Sequence, residues 1–523
     1  MNQQSTIYSN NIVSSIKMNS VKFAERKALI CGDQSVSWAE MWSRTNQLGQ
    51  ALCSLGVQKG DRVALILNNC IEFSESFVMC AKFGFIVTPM NRNLKAKELA
   101  YHLQDSGAKV VITNPEYAAA LQSVRNELPS LEQMVVTGTA AGQGDHAYEQ
   151  LINEGADKDP DVEISPDDIQ MILYTSGTTG RPKGGIRGYK ENYHTGVGVC
   201  IEWKIRSGDV QLAITPLYHA APIAWFIATM ITGGTYVILP QFNPEAVFVE
   251  IEKHKVNWLM AVPVMFDHLI AFSEKKLAGY DLSSLRTLIS GGAPLHTRTK
   301  VGIKRAFSDS ELYEFYGSTE LGVSTSLRDE DQLRKERCVG LPMPDVELSI
   351  RNDEGDEVQQ GEIGLLYSRG LSGFRGYWNA PEKTEEAFLE GGWATVGDMA
   401  RQDDEGYYYI VDRKKDMIIT GGVNVYPVEI EEIIHEMEEV QDVAVIGVPD
   451  PKWGEAVKAI IVLHPNETID ENDVIVFCKK RLASFKVPKS VDFVSSIPRT
   501  QSGKILKGEL RKAYWSDSDF QIS

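Results

Sequence analysis

At 523 residues the chain is too long for one compact core, so at least two domains are expected, the larger one subdivided. A formal charge of −18, from 53 basic and 71 acidic residues, excludes a broad nucleic-acid-binding face, because phosphate backbones need a net basic surface. Seven scattered cysteines without a CxxC and nine histidines without metal-ligand spacing point to reduced thiols in a cytoplasmic protein, not to a disulfide framework or a zinc site.

The N-terminal stretch MNQQSTIYSNNIVSSIKMNS has no charged region followed by an apolar run, so no secretory leader is expected. A strand-then-helix rhythm follows. Arg62–Leu67 reads as a buried parallel strand, Glu72–Phe83 as a helix and Ile86–Pro89 as a further strand. Val110–Thr113 and Met171–Tyr174 are short apolar runs closed by turn residues. Such alternation predicts an α/β fold with parallel sheets covered by helices, and ligands at the carboxyl ends of the strands. Ala220 to Pro240 is long enough to suggest a membrane span. Pro222 and Gly233-Gly234 break it into a buried helix, a turn and the strand Thr235–Leu239, so no transmembrane segment is predicted. After Asp412 the texture changes. Asp412-Arg413-Lys414-Lys415-Asp416 separates residues 1–412 from a small α+β domain, 413–523, with strands at Val443–Val448 and Ala459–Leu463 and a helix near Glu471–Leu482. A joint of charged residues costs little to expose and is therefore expected to bend.

The strongest local signal is Tyr174-Thr-Ser-Gly-Thr-Thr-Gly-Arg-Pro-Lys-Gly184, directly after a predicted strand. Glycines let the backbone approach an anion, while Thr175, Ser176, Thr178, Thr179 and Lys183 supply hydroxyls and charge around Gly177 and Gly180. It is not a Walker A loop, since Lys183 follows Pro182 and precedes Gly184 where that motif has glycine before and Ser or Thr after.

This loop resembles the phosphate loop of the adenylate-forming superfamily, which includes acyl-CoA synthetases. Six further segments follow in the family's order: Ser290-Gly-Gly-Ala-Pro294, Glu314-Phe-Tyr-Gly-Ser-Thr-Glu320, Thr395-Val-Gly-Asp398, the Asp412–Asp416 run, Gly421-Gly422 through Glu429, and Pro498-Arg-Thr-Gln-Ser-Gly-Lys504. The resemblance spans essentially the whole chain. It implies a large N-terminal domain of parallel sheets with a smaller β-subdomain, and a mobile C-terminal domain hinged near Lys415. The implied reaction is acid + ATP + CoA giving acyl-CoA, AMP and diphosphate through an acyl-adenylate.

The resemblance also assigns roles. Thr175, His219, Glu320 and Lys504 form the expected catalytic group. Glu320 is the Mg2+ ligand, a hard oxygen donor suited to that ion. Tyr316 stacks on adenine with Gly292, Ala293 and Pro294 as the opposite wall, and Glu314, Gly317, Thr319 and Ile410 complete the nucleotide site. Asp398 accepts the ribose hydroxyls and Arg413 reaches the same sugar. Alone, Asp398 would read as a turn or cap residue, Glu320 as a solvated acid and Lys504 as a solvated terminal lysine. Lys504 bridges the carboxylate and the α-phosphate. Gly421, Gly422 and Val423 line the pantetheine tunnel with Trp453 near its mouth, the glycines keeping the passage wide. Phe485 and Lys489 align with positions that some relatives use for the CoA nucleotide.

For the acid, the resemblance points to Tyr218, His219, Trp225, Gly291, Gly317, Gly322 and Val323. Amino-acid-activating relatives place an aspartate where His219 stands, which disfavours an amino acid substrate. Acetate-activating relatives carry tryptophan at the Gly317 position. Glycine there leaves space, so an acid larger than acetate, medium or long aliphatic or aromatic, is expected. Trp225 reads equally well as a core residue. The family often continues the loop with Thr-His, and this chain has Gly188-Tyr189 instead. Two rival readings stay open from sequence: an adenylate-forming enzyme with another acceptor (a carrier protein, or luciferase-like chemistry), and a nucleotide-binding sensor without turnover. A homodimer is also left open.

Overall fold

A computed structural model describes residues 11–138, 145–175, 182–276, 279–499 and 505–515, with side chains left out at 274–276. Two large sheets dominate. The first has seven strands in the order His146–Ala147, Gln133–Val136, Val110–Thr113, Arg62–Ile66, Ile86–Pro89, Ile169–Thr175, Lys183–Gly188. Its pairings are parallel except the last, where Lys183–Gly188 folds back against Ile169–Thr175. The second has nine strands, with a parallel centre built from Thr235–Ile238, Val210–Ala213, Trp258–Ala261, Thr287–Gly291 and Glu311–Ser318. Gly322–Leu327 then pairs antiparallel with Glu311–Ser318.

The helices Ile71–Phe83 and Ala220–Thr232 share one apolar core with residues of both sheets, and Phe77 meets Phe226 edge-on at 5.8 Å. In Ile71–Phe83 every residue except Glu72 is buried, as expected for a helix covered on all sides. The stretch from Ala220 is a helix ending in a left-handed Gly233 (φ +68°), followed by the strand Thr235–Ile238, as the glycine pair predicts. Among the described residues, no helix is long and apolar enough to cross a membrane. All seven cysteines are free; Cys80, Cys338 and Cys478 are buried and Cys53 is exposed.

A third sheet holds Val346–Arg351, Gly364–Gly370, Asp398–Gln402 and Tyr408–Arg413 with two short edge strands. A single-turn 3-10 helix, Lys414–Asp416, then leads into the fourth sheet. There Gly454–Leu463 pairs with Val440–Asp450, Ile418–Thr420 and Ser490–Phe493, against the helices Pro427–His435 and Glu471–Lys479.

The joint is in part the exposed charge cluster expected, with Lys414 and Lys415 exposed, and in part an internal network. Asp412 is buried and accepts hydrogen bonds from the amides of Arg413 (2.7 Å) and Val428 (3.1 Å). Lys507, also buried, lies 4.0 Å from Asp412 and 2.9 Å from Glu431. Arg511 donates to the Lys415 carbonyl (3.2 Å) and to Asp416 (3.1 Å). Charges leave water only when paired, and here they pair across the joint, tying its strand and turn to the terminal helix Lys507–Arg511.

Candidate active site

Most of the expected residues lie at or just past the carboxyl ends of parallel strands, where such sheets place their ligands. Thr175 ends Ile169–Thr175; Gly292 to Pro294 follow Thr287–Gly291; Tyr316 to Glu320 close Glu311–Ser318. Leu217 to His219 lie between Val210–Ala213 and the helix Ala220–Thr232, for which His219 is the cap residue.

The nucleotide side is wired across two sheets. The Tyr316 hydroxyl donates to Asp398 Oδ2 at 2.5 Å, and Arg413 Nε lies 3.3 Å from Asp398 Oδ1. Asp398 and Arg413 are register partners on adjacent strands, which fixes their side chains together. Burial raises the Tyr316 hydroxyl's pKa, and the Asp398 carboxylate raises it further, so Tyr316 remains a donor. Tyr316 packs with Ile410 against Ile350, Leu366, Ala400 and Tyr408.

Glu314 is differently engaged from what the sequence suggests. Its buried carboxylate lies 2.6 Å from Lys300 Nζ and accepts the Leu295 amide at 3.4 Å, so it ties down the turn after Gly292 (φ +84°). Burial pushes its carboxyl group up, against the pull of Lys300. A carboxylate paired with an internal lysine and bonded to the Leu295 amide anchors the Gly292–Pro294 turn.

On the side where phosphates are expected, Thr175 and Lys183 are register partners on adjacent antiparallel strands. Ser176, Gly177, Thr178, Thr179 and Gly180 lie outside the described residues. Lys183 Nζ stands 4.9 Å over the Tyr377 ring, and the Tyr377 hydroxyl donates to Glu320 Oε1 at 3.0 Å. Burial, then Glu320, raises the Tyr377 pKa. Glu320 is buried, with one carboxylate oxygen held by a neutral donor. That donor set suits Mg2+, which takes one or two carboxylates and completes its shell with water and phosphate oxygens.

Two residues here escaped the sequence reading. Tyr377 sits in Phe374-Arg-Gly-Tyr377, and the glycine beside an aromatic was the available signal. Arg187 is buried, donating to the Thr319 carbonyl (3.2 Å), Asn192 (2.8 Å) and Thr195 (2.9 Å). A guanidinium with these partners braces the turn that carries Glu320; nothing in the local pattern announced it. The Gly188-Tyr189 departure is structural. A Cβ at Gly188 would lie 2.2 Å from Arg375 Nη2, and the buried Tyr189 donates to the Ala81 carbonyl at 2.9 Å.

On the acyl side, the Tyr218 and His219 rings lie 4.6 Å apart. Trp225 and Val323 are buried in one cluster with Val199, Trp203, Phe315 and Met343. Trp225 contacts Trp203 at 4.7 Å and Phe315 at 5.2 Å. Gly317 has a reason other than pocket space. A Cβ there would lie 2.2 Å from the Gly322 carbonyl oxygen, at a bulge between Tyr316 and Gly317. The backbone approach requires glycine whatever the substrate, so the open-space argument from this residue alone does not stand. A Cβ at Gly291 would likewise enter the Phe315 ring at 2.3 Å.

In the C-terminal lobe, Lys504 lies outside the described residues, but its flanks Arg499 and Ile505 form an antiparallel bridge. Gly421, Gly422 and Val423 are exposed. Gly421 has φ +58°, and a Cβ on it would lie 2.8 Å from the Trp453 ring, so packing and backbone conformation already demand glycine. Trp453 is 44% exposed. Lys415 is held down to about 8, by burial first and by Arg413 and Arg511 next, with Asp416 and Asp398 opposing. Phe485 is exposed, and Lys489 Nζ donates to the Ser484 carbonyl at 3.4 Å.

Comparison with known proteins agrees with this arrangement. The AMP-binding enzyme family matches residues 16–378, and its C-terminal domain family matches residues 429–504. Feruloyl-CoA synthase of an Amycolatopsis species is 36% identical over 487 residues, 92% of this chain and 95% of the relative. The long-chain-fatty-acid–CoA ligase FadD13 of Mycobacterium tuberculosis is 37% identical over 485 residues, 92% and 94% respectively. Among solved structures, ATP-bound MatB from Rhodopseudomonas palustris is 29% identical and superposes with a TM-score of 0.87 over 96% of this chain and 99% of its own. Apo MatB from the same organism, also 29% identical, gives 0.77 over 97% and 99%. With both lobes matched in order and the nucleotide-side residues gathered at the strand ends, the chain belongs to the AMP-binding enzyme family, the adenylate-forming superfamily.

Proposed function

We propose that the chain is an AMP-forming acid–CoA ligase that joins a carboxylic acid to ATP as an acyl-adenylate and passes the acyl group to coenzyme A. The observation carrying this reading is that one strand, Glu311–Ser318, ends at both Tyr316, bonded to Asp398, and the Thr319-Glu320 turn, bonded to Tyr377. This supports a reading in which Asp398 takes the ribose hydroxyls and Glu320 the metal, both tied to the end of that one strand.

Asp398 and Arg413 orient the sugar, Tyr316 and the Gly292–Pro294 turn enclose the base, and the Thr175–Lys183 hairpin receives the phosphates. Glu320 would hold Mg2+, which would supply positive charge against the triphosphate. The acid's carboxylate oxygen attacks the α-phosphorus, the bond to the β-phosphate oxygen breaks, and diphosphate leaves. The acyl carbon is then attacked by the CoA sulfur, and AMP departs with the bonding pair. Lys504 stabilises the first step and Lys415 is the pivot between the two. His219 and Tyr218 stand at the mouth of the acyl side, and the Val199, Trp203, Trp225, Val323 and Met343 cluster gives it an apolar wall. That wall, with the feruloyl and long-chain acyl relatives, supports an acid with a ring or a medium-to-long chain and not acetate.

The test is a panel of acids from butyrate to palmitate with benzoates and cinnamates. Diphosphate release with acid, ATP and Mg2+ alone, and AMP release only on adding CoA, is expected for at least one of them; chelation of Mg2+ abolishes both. AMP release with a carrier protein and none with CoA would replace the acceptor. Strong preference for acetate would overturn the apolar-wall argument.

A further inference from the structure

Across the seam between the lobes, the rings of His296 and His435 face each other at 4.7 Å with an interplanar angle of 51°. His296 follows the Gly292–Pro294 wall and precedes the helix Thr297–Ala306; His435 ends the helix Pro427–His435 of the small lobe. One turn earlier on that helix, Glu432 pairs with Arg337 of the large lobe. Arg499 is bonded to Asp442 at 2.6 Å and forms an antiparallel bridge with Ile505, so the described residues flanking Lys504 are held together. The seam therefore places Arg499, a described residue on the flank of Lys504, near His296, just after the expected adenine wall. Meanwhile Gly421 to Val423, on the same lobe, face solvent. The TM-scores against the two forms of MatB, 0.87 with ATP and 0.77 without, place this arrangement nearer the nucleotide-bound one.

The groups facing the two imidazoles are identifiable on both sides. From the large lobe come Asp267, which accepts the Thr299 hydroxyl at 2.8 Å, with Arg298 and Arg337; from the small lobe, Asp442 and Arg499. Glu336, Glu429 and Glu436 act on Arg337 from around the same seam. Burial, then the neighbouring His296 and the arginines 499 and 298, hold His435 down to about 4 against Asp442. Burial also lowers His296, helped by Arg499 and Arg337 and opposed by Asp267 and Asp442. A proton on His435 would meet Arg499 and Arg298 against Asp442 alone, and one on His296 would meet Arg499 and Arg337 against Asp267 and Asp442.

We propose that His296 and His435, with the Arg337–Glu432 pair, are positioning residues that latch the small lobe in the adenylate-forming arrangement and let go of it for thioester formation, the latch weakening when an imidazole is protonated. The roles of the two half-reactions rest on the ligase reading above. Because the docked histidines have lowered pKa values, the undocked state binds more protons. Docking is then complete above the ordinary histidine value of about 6.5 and is lost as pH falls from there toward about 4. A rotation that brings Gly421–Val423 into the cleft has to part the two rings, so the contact belongs to one of the two states.

The decisive variant is His435→Lys, a permanent cation in the seam. Diphosphate release without CoA is expected to fall about tenfold, while conversion of preformed acyl-adenylate and CoA stays within about twofold of wild type. Trypsin cleavage mapped to Arg413–Lys415, which needs no turnover, should rise about tenfold as the lobe is freed. His435→Gln should restore diphosphate release and flatten its loss between about pH 6.5 and pH 5.5. An equal fall in both half-reactions, or wild-type diphosphate release and cleavage in His435→Lys, overturns the latch. If no acid yields diphosphate from wild type, the ligase reading fails, and the cleavage rates still decide the latch.

Discussion

The two lobes treat their expected functional residues in opposite ways. Around Asp398 and Glu320 each carboxylate is buried and already has a phenolic donor, Tyr316 in one case and Tyr377 in the other, and buried Arg187 braces the backbone beside them. In the small lobe, Gly421 to Val423 and Trp453 face water. Preorganised donors stabilise developing charge without reorganisation, so a site for phosphoryl displacement gains from being built in advance. In the proposed mechanism the Gly421–Val423 loop serves only the second half-reaction, and such a loop gains from being kept away until it is needed.

That contrast can be broken at four places. Lys504→Ala carries the largest effect: diphosphate release should fall about 100-fold or more, with thioester formation from preformed adenylate nearly unaffected. Equal loss in both steps would mean that Lys504 serves the two arrangements alike. Asp398→Ala should lower kcat/KM for ATP about 30-fold or more, since the Tyr316 hydroxyl and Arg413 both lose their partner. Gly421→Val, forcing a Cβ into the Trp453 ring at positive φ, should slow thioester formation about tenfold and leave diphosphate release alone. The mildest is Tyr377→Phe, which deletes one hydrogen bond to Glu320. An about fivefold loss of diphosphate release is expected, together with a weaker apparent affinity for Mg2+ measured by titrating the ion.

Some of this was readable in the chain itself. Short apolar runs bounded by turns marked Arg62–Ile66, Ile86–Pro89, Val110–Thr113 and Ile169–Thr175, because a strand buried on both faces has to be apolar throughout. The glycine-hydroxyl stretch after Tyr174 carried the resemblance to the AMP-binding enzyme family that the comparisons show. Other features needed residues from distant segments. Arg187 braces the turn at Thr319, Tyr377 meets Glu320, and Lys507 pairs with Asp412 and Glu431.

Local composition thus determined the α/β class and the order of the elements, since propensity and hydrophobic period act over a few neighbouring residues. Tertiary structure alone decided that Glu314 is an anchor for Lys300, that Gly317 and Gly421 are demanded by nearby backbone and ring, and that His296 meets His435. Those outcomes depend on distances between segments far apart in sequence, which only the packing of sheets and lobes sets.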